Sequence, residues 1–81
     1  MNHTMQVNVY LKYGFIEKFN INISLDYLLK KFKNYFNKNG VPLQFNGNKY
    51  ISNEIVKVVI FEKKYFYILE RLEDSNNEEI Y

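Results

Sequence analysis

Polar and apolar residues alternate over residues 5–13. Met5, Val7, Val9 and Leu11 share one parity, and Gln6, Asn8 and Lys12 share the other. Successive strand side chains point to opposite faces, so this run predicts a strand with one buried and one wet face. Tyr13-Gly14 offers a two-residue turn, with Gly14 able to supply positive φ. Residues 15–23 alternate again, setting Phe15, Phe19, Ile21 and Ile23 against Lys18, Asn20 and Asn22. The two runs predict a β-hairpin. Glu17 breaks the apolar parity between Phe15 and Phe19. Either the hairpin tip projects past the core and Glu17 is solvated there, or the charge marks a bulge or guards an edge.

The period then changes. Leu25, Leu28, Leu29, Phe32, Tyr35 and Phe36 recur at helical spacing and cover an arc of about 120° on a helical wheel. Ser24 is a suitable N-cap and Asp26 falls in the first turn, where the helix dipole favours an anion. Lys38 is expected in the last turn, Gly40 at the position just past the end, and Pro42 stops continuation.

Residues 43–45 and 48–51 flank Asn46-Gly47, the strongest short hairpin signal, and Pro42 suits an edge position. Residues 55–61 are β-branched and apolar on both parities apart from Lys57, which predicts a central strand. Glu62-Lys63-Lys64 is a weak turn, and Tyr-Phe-Tyr-Ile at 65–68 favours a final strand over a helix. The order is ββαββββ. The expected fold is α+β: an antiparallel sheet of about five to six strands with one amphipathic helix packed across one face. Residues 1–72 read as one domain, and residues 73–81 as an acidic, flexible tail.

Composition agrees with one small folded unit. At 81 residues with 47% hydrophobic and 19% aromatic content, the chain can form a core. A domain of this size still buries only about 60–65% of the surface its unfolded chain exposes, so a partner is often needed. Cysteine is absent, which excludes disulfides and thiolate metal sites and fits a cytoplasmic setting. No apolar run approaches the roughly 20 residues that cross a bilayer, and the first residues do not resemble a secretory signal. Abundant Asn, Lys, Ile, Tyr and Phe, with no Ala and a single arginine, Arg71, point to a low-GC genome. Charge is split: residues 1–69 carry a net +6 and residues 70–81 a net −4.

Catalytic chemistry finds little support. His3 is the only histidine and lies in a terminus expected to fray. Ser24 and Ser52 are accounted for by a cap and a turn. Carboxylates in the body are scattered singly, and Glu73, Asp74, Glu78 and Glu79 read as a solvated tail rather than a cation site. Gly14, Gly40 and Gly47 belong to no phosphate-binding pattern. The expectation is a non-enzyme with no metal and no cofactor.

Two surfaces are candidates for binding. On the outer helix face Tyr27 lies about 200° from Leu25 on the wheel. It sits there among Lys30, Lys31 and Lys33, an arrangement that could hold an anion. Lysine is a point charge, so phosphate contact fits better than base readout, and a pI of about 8.8 is a weak footprint for a nucleic-acid binder. The other surface is the sheet face away from the helix, where Tyr10, Ile16, Tyr65 and Tyr67 are candidates for contact with a protein.

No family's motifs match residue by residue. In general character the chain is similar to small accessory proteins of phages and mobile elements, among them anti-CRISPR and other anti-defence inhibitors that occupy a host enzyme's surface. That likeness implies a protein-binding inhibitor of a bacterial host protein. The cysteine-free composition and the lack of a long apolar run fit a cytoplasmic setting without a membrane, and the aromatic sheet face that one helix leaves uncovered adds the expectation of a homodimer. The alternatives are nucleic-acid or nucleotide-phosphate binding through the Lys/Tyr helix face, and a structural subunit that self-assembles.

Overall fold

The alternating N-terminal run forms the hairpin its pattern predicts, in a computed structural model that describes residues 4–38 and 40–71. Strand β1 (Met5–Leu11) pairs antiparallel with β2 (Ile16–Ile21), placing Met5 opposite Ile21 and Val7 opposite Phe19. The turn is wider than two residues. Leu11 N–H donates to the Phe15 carbonyl at 2.8 Å, and Gly14, at φ 95°, donates to the Leu11 carbonyl at 3.0 Å. Phe15 therefore lies in the loop, and Ile23 lies beyond the end of β2. Both were expected on the buried parity, and both are exposed instead.

Helix α1 (Leu25–Asn37) begins where Ser24 Oγ accepts the Tyr27 N–H at 3.2 Å. Leu28, Phe32, Tyr35 and Phe36 are buried, with Leu25 and Leu29 packed at the flanks. Lys38 is the C-cap residue, one step beyond the last turn where it was expected. Gly40 takes φ 80°, and its N–H donates to Ser52 Oγ at 3.0 Å, so Ser52 ties the helix exit to the later turn.

Strands β3 (Leu43–Phe45) and β4 (Asn48–Tyr50) form the predicted tight hairpin, with Asn46 and Gly47 both at positive φ as a type I′ turn requires. Strands β5 (Ile55–Glu62) and β6 (Tyr65–Glu70) complete the chain's described elements. The main sheet has four antiparallel strands in the order β2-β1-β5-β6, so β5 is central as its composition implied. The hairpin β3–β4 forms a separate two-stranded sheet. It buries Leu43, Phe45 and Tyr50, and Phe45 meets Phe19 and Phe32 edge-on at 5.3 and 5.2 Å. The hairpin thus closes the core beside β2 instead of widening the sheet.

A bulge resolves the double-sided apolar character of β5. Tyr10 pairs with Lys57 but Leu11 with Ile55, so Val56 is the extra residue. The slip turns Ile55 into the core and leaves Val56 exposed. Tyr35 anchors the preceding turn: its hydroxyl donates to the Ile51 carbonyl and accepts the N–H groups of Glu54 and Ile55, each at 3.2 Å. In the same last turn of the helix the Arg71 guanidinium donates to the carbonyls of Phe36 at 2.8 Å and Tyr35 at 3.5 Å, and lies over both rings. Carbonyls of a last helical turn lack helical partners, and here one cation satisfies two of them. His3 and the acidic residues 73–81 lie outside the described residues. No described helix is long and apolar enough to cross a membrane.

Candidate functional site

Residues directly opposite on antiparallel strands share a face, so the register sorts every sheet residue. The helix side carries Val7, Val9, Phe19, Val58, Ile60, Tyr67 and Leu69. The far side has three rows that run from β2 to β6: Ile16, Tyr10, Lys57 and Glu70; then Lys18, Asn8, Val59 and Ile68; then Asn20, Gln6, Phe61 and Phe66.

The far side is divided. Its β1–β2 half is mainly polar, and Asn8, only 7% exposed, accepts a hydrogen bond from Gln6 Nε2 at 3.0 Å. Its β5–β6 half is apolar: Phe66 is 61% exposed, Ile68 52% and Phe61 40%, grouped around buried Val59. The Phe61 and Phe66 rings lie 6.3 Å apart. One border is charged, with Lys57 Nζ 4.7 Å above the Tyr10 ring and Glu70 opposite Lys57.

Of the four residues expected on the contact face, Tyr10 and Ile16 lie together in one row of it. Tyr65 and Tyr67 are on the helix side, where Tyr67 packs against the core and Tyr65 stands exposed at the strand's start. The residues that β6 gives to the far side are Phe66 and Ile68. The turn held the information that separates them. A loop of two residues, Lys63-Lys64, sets Glu62 opposite Tyr65 and hence Phe61 opposite Phe66.

On the helix, Tyr27 is exposed as expected. Lys31 Nζ reaches its hydroxyl at 3.3 Å and lies 5.2 Å from its ring centre. Tyr27, Lys30, Lys31 and Asn34 line a shallow depression of about 500 Å³. Lys33 is not part of it; it faces a depression of about 420 Å³ with Phe36, Asn37, Ile68, Leu69 and Glu70. Tyr27 and Lys31 also border a groove of about 500 Å³ with Asn20, Asn22, Gln44 and Asn46. The lining comes from the end of β2 and the segment after it, from the β3–β4 hairpin and from the helix, a meeting that no local pattern announces.

The chain matches no family model, no curated protein and no solved structure.

Glu17 has a structural explanation. It lies half-buried on the helix side at the end of the sheet, and its Oε1 accepts a hydrogen bond from the Tyr50 hydroxyl. Tyr50 also accepts from Asn48 Nδ2 at 3.2 Å. Burial, and then the bond to Glu17, push the Tyr50 phenol up from 10.0 to about 12. A phenol held neutral so far above physiological pH is a poor proton-transfer group. Among the described residues, no three His, Cys, Asp or Glu side chains cluster in a way that could hold a metal ion.

Proposed function

We propose that this domain is a non-enzymatic protein-binding module whose contact surface is the β5–β6 half of the uncovered sheet face. The observation that carries the reading is the contiguous exposure of Phe61, Phe66 and Ile68 around Val59. Single exposed apolar residues are ordinary, but a contiguous group marks an interface. A sheet holds such a group rigid, so little side-chain order is lost on binding. Polar and charged neighbours, Gln6, Asn8 and Lys57, border the patch as a rim borders an interface core. The partner we envisage is a bacterial host defence or regulatory protein, inhibited by occupation of its surface. The small size, low-GC residue usage and split charge of the chain favour that role.

The test is capture of partners from a low-GC bacterial lysate with wild type and with Phe66→Lys. Recovered protein and nucleic acid are both identified, and the affinity of the recovered protein is then measured. Loss of a central aromatic anchor is expected to weaken binding roughly 30-fold. A protein partner bound equally well by Phe66→Lys overturns the reading. The second reading is phosphate binding at the depression of Tyr27, Lys30 and Lys31. It calls for recovered nucleic acid, steep salt dependence and loss of binding on charge reversal at Lys30 and Lys31.

A further inference from the structure

The two edges of the main sheet are built differently. Edge strand β2 carries Lys18 and Asn20 on one face and the inward-pointing Glu17 on the other, devices that discourage a further strand from adding. Edge strand β6 has no such device. Tyr65, Phe66, Tyr67, Ile68 and Leu69 run without a charge, bounded by Lys64 before and Glu70 after. Among the described residues no strand pairs with its outer side. The helix does not close over it either, because a depression of about 420 Å³ separates Lys33, Phe36 and Asn37 from Ile68, Leu69 and Glu70.

Backbone direction follows from the hairpin. A two-residue loop starts its ladder with a hydrogen-bonded pair, here Glu62 with Tyr65. Such pairs alternate along the ladder, so Ile60 with Tyr67 and Val58 with Leu69 are the next. The N–H and C=O groups of Phe66, Ile68 and Glu70 therefore point outward from the sheet.

We propose that β6 pairs antiparallel with β6 of a second copy, forming a two-fold dimer with one continuous eight-stranded sheet. The sequence of β6 is complementary to itself in one register. With Tyr67 opposite Tyr67 of the second copy, Phe66 meets Ile68, Tyr65 meets Leu69, and Lys64 meets Glu70, each contact occurring twice by symmetry. Centring on Ile68 would set Phe66 against Glu70, and centring on Phe66 would set Glu62 against Glu70. Over residues 64–70 only the Tyr67 register matches apolar to apolar and opposite charge to opposite charge. It also places the two exposed groups of Phe61, Phe66 and Ile68 side by side on the same face.

Sedimentation equilibrium of the full chain over a range of concentrations tests this. Wild type is expected to pass from the 9.9 kDa monomer to a dimer. Lys64→Glu lies in the turn and sets carboxylate against carboxylate twice, which should weaken the dimer about tenfold. Adding Glu70→Lys to it should restore the constant to within about twofold of wild type. Ile68→Pro removes an outward N–H without touching a bond to β5 and should give a monomer, with circular dichroism reporting the fold. A monomer at every concentration overturns the proposal, as does a dimer indifferent to both Lys64→Glu and Ile68→Pro. The pairing does not rest on the partner-binding reading. Phe61→Lys, one strand in from the edge, should abolish partner capture and leave the dimer constant unchanged. Loss of dimerisation in Phe61→Lys would place the contact on the face and overturn edge pairing alone.

Discussion

Strand β5 presents nearly the same chemistry to two surroundings. Val58 and Ile60 face the helix and are fully buried, whereas their neighbours Val59 and Phe61 face the other way. One helix can cover one side of a sheet, so only the first pair contributes to a closed core with Phe32, Leu28 and Val7. Across β1 and β2 the second side has the polar composition of a wet face. Across β5 and β6 it does not. The monomer's fold needs the apolar residues of one face only, and the surplus on the other is where a contact with another protein has its driving force.

The difference can be broken at two phenylalanines. Phe32→Ala, under the helix, should cost about 3–5 kcal/mol of stability in urea denaturation, since it leaves a cavity among residues that cannot collapse. Phe66→Ala, on the open face, should cost no more than about 0.5–1 kcal/mol, yet it should impair partner binding. Equal destabilisation by the two would mean that the far side is not a free surface. The comparison would then fail.

The same division shows what local pattern can and cannot reveal. The helix, its Ser24 cap and the Asn46-Gly47 turn were legible because each depends on residues within a few positions of one another. The central place of β5 was legible from its two-sided apolar content. The grouping of β3–β4 into its own sheet was not, because it depends on Phe45 finding Phe19 and Phe32 across the core. The contact face was half legible. Tyr10 and Ile16 follow from the parity of the first hairpin, but assigning β6 needed the register across Lys63-Lys64, and a one-residue error there exchanges Tyr65 and Tyr67 for Phe66 and Ile68. Arg71 fell inside the domain with no partner assigned to it; its partners are carbonyls of Tyr35 and Phe36 about 35 residues earlier, a separation no periodicity spans.

A second way to sharpen the contrast uses pH. On the helix side Glu17 and Tyr50 form a partly enclosed polar pair, and the folded state holds the Tyr50 proton up to about pH 12. The unfolded chain releases it near 10.0. Below pH 10 the unfolded and folded states both keep the proton, and the pair's contribution is complete. As pH rises from 10 towards 12 the unfolded state loses protons that the folded state retains, so stability falls; above the folded value no further loss occurs. The difference in unfolding free energy between wild type and Tyr50→Phe should therefore be flat up to pH 10 and narrow above it. Glu17→Gln should leave the onset near pH 10 but end the loss at a lower pH, reducing it without abolishing it, because burial is the larger cause. A difference that stays flat through pH 12 would show that Tyr50 titrates as it does in the unfolded chain.

The smallest expected effect lies at the turn that creates the exposed phenylalanine pair. Lys63 adopts φ 56°. Asn46 and Asn53 occupy the same left-handed region at φ 51° and 70°, but asparagine tolerates it through its short polar side chain and lysine does not. The cost to an ordinary residue is about 1 kcal/mol, and glycine escapes it while losing more backbone entropy on folding. The two nearly cancel, so Lys63→Gly should stabilise the domain by at most about 0.5 kcal/mol, seen as a slightly higher urea midpoint. The loop length is unchanged, so Phe66 stays opposite Phe61 and partner binding should be unaltered. A lower midpoint would mean that the Lys63 side chain contributes more than its backbone strain removes. Altered binding with a higher midpoint would mean that strain in this turn, and not only its length, shapes the open face.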